Sequence, residues 1–404
     1  MASLLEQLKD ERCWEDFYAY RTSLVCPKAS AKDLRAFIDE KRWLPVCGAI
    51  ERGDRFPLPR KAVISKMSSQ KKRTVYIYPK EENTVLKPLT WLLLRRCDGI
   101  YSPALYSFRP GRTAKDAVRS LIRTRGIWNM YCYKADIHDY FNSIPVERFL
   151  PLLEETLADD PQLFAFLRSL LEEPYVLENG RPIEETKGIM AGTPLSAFYA
   201  NLYLKDLDAR FCEAGIPYAR YSDDIILFAE TEEERDAHVA ALHTFLADRG
   251  LTINPSKESV SAPGEPWTFL GFVCSEKRVD IAPATVHKLK QKMRRKARAL
   301  QRWRKRNGVS GEKAAAAFIR IFNRKLLENS TDSDRTWSYR FFSVINTPAS
   351  LRGIDVYAQD CLRFLISGRR TKARYSVRYE DLKKLGYRSL VHEYYSFNGP
   401  APRV

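Results

Sequence analysis

The stretch YSDDIILFAE, residues 221–230, places two adjacent aspartates directly before an apolar run. The residues from Ile225 to Phe228 predict a buried strand, because the run is short, apolar and rich in β-branched and aromatic side chains. Aspartate is a favoured turn residue, so a solvated turn is the simplest interpretation of the pair alone. A buried strand directly after the pair would instead hold both carboxylates rigidly, which makes them candidates for a functional site.

The composition favours a folded protein with a polyanionic partner. The chain has 404 residues, 45% of them hydrophobic and 12% aromatic, enough for two or three domains with a packed core. The formal charge is +17 at pH 7, which favours nucleic acid first and an anionic membrane surface second. No apolar stretch approaches the roughly 18–20 residues needed to span a bilayer, so we expect no membrane partner.

Cysteines, histidines and the first residues argue against an exported or zinc-dependent protein. The eight cysteines form no C-x-x-C pair, and the five histidines offer no metal-binding spacing. The start, MASLLEQLKDERCWEDF, lacks the charged and apolar regions of a secretory signal. We therefore expect reduced thiols and a cytoplasmic location.

Strand and helix signals alternate up to residue 282 and predict an α+β body, followed by basic helices. Strands are expected in 71–79 and 130–144, and a small hairpin is expected at Asn179-Gly180. Another hairpin is expected over 267–283. The predicted helical segments are most of 1–70, 84–100, 105–122 after a Pro-Gly loop, 147–172, 193–211 and 232–250, the last one closed by Gly250.

A third aspartate has the same setting as the pair. Asp136 ends a strand-like run in MYCYKADIHDYFNSI, far along the chain from Asp223 and Asp224. Carboxylates held together at neighbouring strand ends repel each other, and a hard cation such as Mg²⁺ removes that cost. Two such ions promote in-line phosphoryl transfer. The aspartates therefore indicate a metal site, and the basic remainder of the chain indicates a nucleic acid.

Five segments occur in the order of known palm motifs: ADIHDYFNSI, KGIMAGTPLSAFYANLYL, YSDD, GLTINPSKE and FLGF. Together with SFRPGRTAKDAV, which is similar to a fingers motif, they make residues 70–275 resemble a reverse transcriptase. The similarity is greatest to bacterial enzymes related to group II intron reverse transcriptases, including short, defence-associated ones. The resemblance implies a right-hand polymerase, with an antiparallel palm sheet packed on helices and an α-helical thumb.

The implied domains follow the motifs. They are an N-terminal helical extension (1–70), a first part of the fingers (71–129), a first part of the palm (130–149), a fingers or palm insertion (150–190), a second part of the palm (191–282) and a basic helical thumb with a C-terminal RNA-binding segment (283–404).

The resemblance also implies roles for single residues. Asp136 and Asp223 would bind two Mg²⁺ ions, assisted by the Ile137 carbonyl, and Asp224 would support them electrostatically. Lys257 in NPSKE would protonate the pyrophosphate leaving group, or it is a solvated loop lysine.

Further residues are implied around the incoming nucleotide. Phe141 would be a steric gate against a ribose 2′-hydroxyl, or it is plain core. Arg73 would clamp the triphosphate, or it contacts an RNA backbone instead. Asp139 and Tyr140 would line the triphosphate site through backbone N–H groups, and Gly192 would allow close approach of the nucleotide. The family commonly has a glutamine directly before this glycine, but the segment MAGTP has an alanine there. Sugar recognition is therefore left open.

The primer and the RNA would be held by later segments. Phe269, Leu270, Gly271 and Phe272 would form a primer grip, or FLGF is only a packed strand. The stretch HKLKQKMRRKARALQRWRKRNG, 287–308, has no acidic residue and predicts a phosphate-binding helix rather than a mixed surface helix. The tract 367–397 interleaves basic residues with tyrosines that could stack on RNA bases or pack the thumb. The predicted RNA-binding residues are Lys288, Lys292, Arg295, Arg298, Arg302, Arg369 and Arg370.

These features predict an RNA-directed DNA polymerase that uses two Mg²⁺ ions and dNTPs. It would extend a primer into a DNA product on an RNA template, a structured non-coding RNA in antiphage defence. The alternatives are an intron-type reverse transcriptase or maturase, a template-independent DNA polymerase, and an RNA-binding scaffold without essential polymerase activity.

Overall fold

A computed structural model describes residues 3–24, 26–65, 72–328 and 336–399. Lys71, which opens the predicted strand over 71–79, lies outside these residues, as does the predicted boundary between 70 and 71. The chain forms two compact units that separate between Pro263 and Gly264, with 23–25 grouped with the second. We call them the N-terminal unit and the C-terminal unit. The finer predicted division into fingers, palm and thumb stays a prediction.

The N-terminal unit contains twelve of the described helices and eight of the described strands. Its helices are α1 (Leu4–Gln7), α2 (Glu11–Ser23), α3 (Lys28–Asp39), α4 (Trp43–Glu51), α5 (Lys80–Arg96), α6 (Ala114–Arg123), α7 (Tyr140–Ser143), α8 (Val146–Thr156), α9 (Pro161–Glu172), α10 (Ser196–Tyr203), α11 (Lys205–Glu213) and α12 (Glu232–Asp248). Its strands are β1 (Arg60–Ser65), β2 (Lys72–Ile77), β3 (Tyr131–Asp136), β4 (Tyr175–Glu178), β5 (Arg181–Glu184), β6 (Tyr218–Tyr221), β7 (Asp224–Ala229) and β8 (Ser259–Ser261).

The C-terminal unit follows in the same chain direction. Its strands are β9 (Trp267–Phe269), β10 (Phe272–Ser275) and β11 (Arg278–Ile281). Its helices are α13 (Pro283–Arg306), α14 (Gly311–Leu326), α15 (Trp337–Phe342), α16 (Ala349–Ser367), α17 (Tyr379–Lys384) and α18 (Leu390–Asn398). The α+β class predicted from the sequence is confirmed.

The central sheet has the strand order β6-β7-β3-β8, and all its pairings are antiparallel. β7 lies in the middle and is buried from Ile225 to Ala229, as the uninterrupted apolar run requires. The sheet packs on α12, and α11 contacts β6. α10 is almost wholly buried, whereas α11 buries Leu207, Asp208 and Phe211. One large apolar cluster joins this sheet to the helices of the unit.

A second sheet has the order β2-β1-β4-β5. β4 and β5 form the hairpin predicted around Asn179-Gly180. β1 corrects the expectation that residues 1–70 are helical, because Arg60 to Ser65 pair with β2 in antiparallel register. The run RKAVIS follows the prolines of FPLP, and its strand character depends on this partner more than on its own pattern.

Two further predictions need correction. The long helix expected over 193–211 is broken at Leu204, where α10 ends and α11 begins. Neither glycine nor proline stands at the break, so the sequence carried no signal for it. The hairpin expected over 267–283 is a sheet of three strands in the order β11-β10-β9.

The C-terminal unit is built around α16. This helix packs against α13 and α14, and buries an apolar stripe that includes Leu351, Ile354, Ala358, Leu362 and Leu365. α13 buries only Met293, Ala297, Leu300 and Gln301. Its basic residues therefore remain largely on the surface. Within the described parts of the chain, no helix has both the length and the apolar character needed to cross a membrane.

Candidate functional site

Three acidic residues lie together at one end of the central sheet. Asp136, the last residue of β3, pairs with Asp224, the first residue of β7. The N–H of Ile137 donates to the carbonyl of Asp223 at 3.0 Å. Since directly opposed residues of antiparallel strands have Cα atoms about 5 Å apart, the fold unites the carboxylates that the sequence separates.

The turn that carries Asp223 is strained and well supported. Tyr221 pairs with Asp224, so Ser222 and Asp223 form a two-residue hairpin loop. Ser222 has a φ of 60°, as the first loop residue of a type II′ turn has, a conformation in which non-glycine residues are uncommon. Its N–H donates to Ser107 Oγ at 2.9 Å, and its carbonyl accepts from Arg220 Nη1 at 3.3 Å.

A buried ion pair stands behind this turn. Arg220 and Asp208 both have fully buried side chains, and the guanidinium binds the carboxylate through two hydrogen bonds of 2.7 and 2.5 Å. Tyr218 also donates to Asp208, at 2.9 Å. Burial by itself would lower the pKa of Arg220, but the charge and hydrogen bonds of Asp208 outweigh it and raise that pKa. Arg220 is therefore a fixed cation.

The same network fixes the neighbouring elements. Ser107 Oγ donates to Asn201 Oδ1 at 3.0 Å, and Asn201 Nδ2 donates back to the Ser107 carbonyl at 2.8 Å. Arg220 Nη2 also donates to the Asn201 carbonyl at 3.2 Å. The SFRPG loop, α10 and β6 thus meet under the turn, and the position of Ser222 depends on all three.

We call the end of the central sheet that carries Asp136, Asp223 and Asp224 the carboxylate corner. Its carboxylates disfavour each other's charged forms. Burial and then the charge of Asp136 raise the pKa of Asp223. Burial and then the charge of Asp223 raise the pKa of Asp224 to about 6. The fold therefore stores electrostatic repulsion at this end of the sheet, which a bound cation would relieve.

The donor set fits a hard divalent ion. Carboxylate oxygens at 2.0–2.1 Å are ligands of Mg²⁺, which usually takes one or two protein carboxylates together with substrate phosphates. Among the described residues, no group of three or more His, Cys, Asp or Glu side chains is disposed as a complete metal site by itself. Carboxylates of this kind fit a site that a phosphate-bearing substrate completes.

Two cations lie next to the carboxylates. The ammonium of Lys257 contacts Asp136 Oδ2, and the N–H of Asn254 donates to the Asp136 carbonyl at 2.8 Å. This places the NPSKE segment at the corner, as expected. Arg73, exposed on β2, is close enough that its charge lowers the pKa of Asp223 against the raising effect of burial. Lys257 can therefore reach a phosphate held here, and Arg73 adds positive potential.

The residues after Asp136 turn away from the strand into α7. Asp139 is exposed and has a φ of 39°. Tyr140 is buried, and its hydroxyl donates to the Ala200 carbonyl at 2.6 Å. Its side chain is thereby committed to the core, so that only its backbone is free to meet a ligand. Phe141 is half-buried and packs edge-on against Tyr140, with ring centroids 5.6 Å apart.

Two glycines allow the loop 187–193 to pack closely. The carbonyl of Ala191 accepts from the N–H of Tyr76 at 2.8 Å, so the loop lies along β2. Gly192 is exposed with a φ of 97°, and a Cβ there would stand 2.9 Å from the Cβ of Val75. A Cβ on Gly188 would stand 2.6 Å from the carbonyl oxygen of Phe141. Neither position has room for a side chain.

The FLGF segment lies in the C-terminal unit as the turn between β9 and β10. Phe269 and Phe272 pair across the hairpin and are fully buried. Leu270 has a φ of 48°, and its carbonyl accepts from Arg340 Nη2 at 2.7 Å. The two rings are core, so any contact with a primer falls to the backbone and to the Leu270–Gly271 tip. The primer-grip role stays a prediction.

The predicted RNA-binding residues are all exposed, and most lie on α13. Arg298 and Arg370 line two neighbouring grooves, of about 210 and 520 Å³, between α13 and the end of α16. The tyrosines of 367–397 are partly buried and partly exposed, and their stacking on RNA bases stays a prediction. Tyr387 and Tyr394 are buried and bind Asp355 and the Ile345 carbonyl, whereas Tyr375 is 52% exposed.

Several residues of the site escaped the sequence analysis. Asp208, Arg220, Ser107 and Asn201 support the turn, and Gly188 packs under Phe141. The arginine two positions before Ser222 was the one available signal, since a charged residue within a buried strand requires a partner. The partner itself lies on another element, which only the fold identifies.

The structure thus places three aspartates at one end of an antiparallel sheet, beside Lys257 and near the loop that carries Gly192. Residues 64–274 match the family model described as reverse transcriptase (RNA-dependent DNA polymerase). This match covers more than half of the chain, and the protein belongs to that family.

Curated relatives are similar to parts of this chain. Group II intron-encoded protein LtrA of Lactococcus lactis subsp. cremoris is 24% identical over 227 residues, which are 55% of this chain and 37% of LtrA. Retron Ec86 reverse transcriptase of Escherichia coli is 29% identical over 106 residues, 25% of this chain and 33% of that enzyme. The chain thus spans only about a third of the length of these two relatives.

Two telomerases are among the solved structures that match part of this chain. Apo telomerase from Candida tropicalis has a TM-score of 0.45 at 12% identity, with 55% of each chain covered. Telomerase from Candida albicans, in complex with a fragment of telomeric RNA, has a TM-score of 0.46 at 13% identity, over 83% of this chain and 64% of that one.

Proposed function

We propose that the protein is an RNA-directed DNA polymerase that adds dNTPs to a primer on an RNA template. The observation that carries the proposal is the β3–β7 register, which sets Asp136 opposite Asp224 and beside Asp223. Membership of the reverse transcriptase family supports the same chemistry.

Each residue of the carboxylate corner would have a separate role in the reaction. Asp136 and Asp223 would hold two Mg²⁺ ions, together with the Ile137 carbonyl, and Asp224 would add negative charge behind them. When bound, the ions would activate the primer hydroxyl and stabilise the leaving pyrophosphate. Lys257 would give a proton to that leaving group, because its ammonium already lies at Asp136.

The surrounding residues would position the nucleotide. Arg73 would bind the triphosphate. The backbone N–H groups of Asp139 and Tyr140, which follow the end of β3, would bind it as well. Gly192 would let the nucleotide lie against the loop beside β2. Phe141 would fill the space of a ribose 2′-hydroxyl.

Primer extension on an RNA template tests the activity. Asp223→Ala with Asp224→Ala should abolish dNTP incorporation, whereas Asp39→Ala, an exposed carboxylate of the same unit, should leave it intact. Wild-type extension should also require Mg²⁺ and stop with a chelator. Full incorporation by the double variant would refute the assignment of the site.

For the template and the biological role, we propose a dedicated, structured non-coding RNA copied in antiphage defence. The similarity to a retron reverse transcriptase supports it, while the similarity to an intron-encoded protein supports the alternative of an intron-type reverse transcriptase or maturase. Template-independent synthesis and an RNA-binding scaffold remain the other candidates.

Sequencing the RNA that co-purifies with the full chain, and the DNA that the chain makes, separates these roles. Complementary RNA and DNA from one non-coding locus would support the proposal, and a neighbouring intron RNA would support the intron role. DNA unrelated to any bound RNA would indicate template-free synthesis. Biological activity that survives Asp223→Ala with Asp224→Ala would indicate a scaffold.

A further inference from the structure

A cavity of about 620 Å³ lies within the N-terminal unit, apart from the carboxylate corner. α2 and α3 form one side, β1 and β2 form another, and the first two turns of α5 close it. Its volume falls within the range of about 300–1,000 Å³ typical of small-ligand sites. No residue of the proposed polymerase site lines it.

Basic side chains dominate the polar lining of the cavity. Arg21, Arg60, Lys80 and Lys87 line it, and within the described residues none of these four has a side-chain ion pair or hydrogen bond. Asp33 is the one acidic residue among the described residues of the lining. Elsewhere in this unit, arginines commonly sit on carboxylates, as Arg35 does on Glu15 at 2.8 Å. Four cations without a side-chain partner among the described residues thus line one cavity.

The cations also lie close enough to repel each other. Burial and then the charge of Arg21 lower the pKa of Lys87. The N-terminus of α5 adds the positive end of its helix dipole, which Glu81 and Glu82 in the first turn partly offset. An anion in the cavity would relieve this repulsion and accept charge-assisted hydrogen bonds.

Part of the cavity wall is apolar. Leu34, Leu58, Ile77 and Leu177 line it and are each only partly buried by the protein, Ile77 being 36% exposed. A simple inorganic anion would leave this wall and most of the volume unused. A nucleotide has both a phosphate for the cations and a flat base for the apolar side.

We propose that this cavity binds a phosphate-bearing nucleotide unit, either free or as part of an unpaired RNA strand. Ile77 lies on the same strand as Arg73, four residues further on, which is about 13 Å at roughly 3.3 Å per residue. One short strand could therefore reach from the proposed polymerase site to the cavity. The site goes beyond the proposed activity, because its binding does not require polymerisation.

Lysine footprinting on the full chain tests the site without catalysis. An amine-acetylating reagent is applied in EDTA to the free protein, with a 12-nucleotide unstructured RNA, or with dATP. Acetylation of Lys80 and Lys87 is then quantified by peptide mass spectrometry. Lys41, which pairs with Glu11 on the surface of the same unit, is the internal reference.

We expect several-fold protection of Lys80 and Lys87 by one or both ligands, with Lys41 unchanged. Protection by RNA alone identifies a strand site, and protection by dATP identifies a site for the free nucleotide. Labelling of Lys80 and Lys87 that neither ligand changes would overturn the proposal, whatever the polymerase assay shows.

A matched pair of variants sharpens the result. Arg21→Ala with Arg60→Ala removes two cavity cations, and should raise the ligand concentration for half-protection about tenfold. Arg52→Ala with Arg168→Ala removes two paired surface cations of the same unit, and should not change it. Equal shifts in both variants would mean that overall charge, and not the cavity, holds the ligand, and would refute the site.

Discussion

Phe141 lies half-buried beside Tyr140, and its carbonyl accepts from the N–H of Ile189 at 3.0 Å. Its backbone is thus fixed against the glycine loop, and its ring is held from one side by the Tyr140 ring. A steric gate requires such a constrained aromatic edge close to the carboxylates, and Phe141 follows Asp136 on the short segment that leaves the end of β3.

We predict that Phe141→Ala admits ribonucleotides. Removing the ring opens space for a 2′-hydroxyl, so the ratio of kcat/KM for dNTP over rNTP should fall by about tenfold or more. Steady-state extension with each nucleotide measures the ratio. Phe164→Ala, a partly buried phenylalanine of the same apolar cluster, controls for general loosening. A ratio that stays the same in Phe141→Ala would mean that Phe141 is ordinary core.

Single residues of the carboxylate corner were singled out from the sequence most directly, and the structure places them together. Asp136, Asp223 and Asp224 stood out because charge directly beside buried strands needs a reason. Lys257 was expected at the site, and only the structure shows that it contacts Asp136. The burial of Phe269 and Phe272 agrees with the alternative of a packed strand, but the strand pattern did not tell which partners cover the two rings.

At the scale of elements, the β6–β7 hairpin depends on support from outside itself. Ser222 adopts its positive φ against the preference of a non-glycine residue. The Arg220–Asp208 pair and Ser107 hold the two ends of that residue. The break between α10 and α11 belongs to the same arrangement, because Asp208 lies on α11 and meets β6 there.

We predict that Asp208→Asn lowers the free energy of unfolding by about 3–5 kcal/mol, because it leaves the Arg220 charge buried without its counter-ion. Chemical denaturation of the full chain measures the loss. Asp236→Asn removes an exposed carboxylate whose partner Arg235 keeps its ion pair with Glu232, and should cost no more than about 1 kcal/mol.

Replacing both partners separates stability from positioning. Asp208→Leu with Arg220→Met removes the unpaired charge and should recover much of the stability. It also removes the hydrogen bond to the Ser222 carbonyl, so kcat for dNTP incorporation should stay low while KM changes little. Full activity in the double variant would contradict the role of the pair in holding the turn.

At the scale of the whole molecule, the chain carries an excess of positive charge, and part of it lies on the exposed surface of α13. The formal charge is +17, and α13 contributes an exposed basic surface with no acidic residue along its length. The remaining face of this helix is buried against α16 and α14. The helix is therefore held in place as a rigid array of cations.

We predict that Lys288→Ala, Lys292→Ala and Arg302→Ala together weaken binding of an RNA–DNA duplex and reduce its salt dependence. Each lost phosphate contact should reduce the slope of log K against log salt by roughly 0.9, the value for B-DNA. Titrations at several salt concentrations measure it. Removing Lys41, Arg52 and Arg168, which are paired with acids, should leave the slope nearly unchanged. Equal slopes in the two triple variants would exclude α13 as the contact surface.

The sequence alone determined the α+β class, the strands that carry the aspartates and the basic character of α13, because these follow from local periodicity and charge. Only the tertiary structure decided which strand pairs with which and that residues 60–65 form β1. It also decided that α10 ends at Leu204, and that Asp208 neutralises Arg220 behind the turn. Such features depend on partners distant in the chain, whose identity no local pattern contains. The cavity between α2, α3 and α5 belongs to the same class, since its cations come from separate segments of the chain.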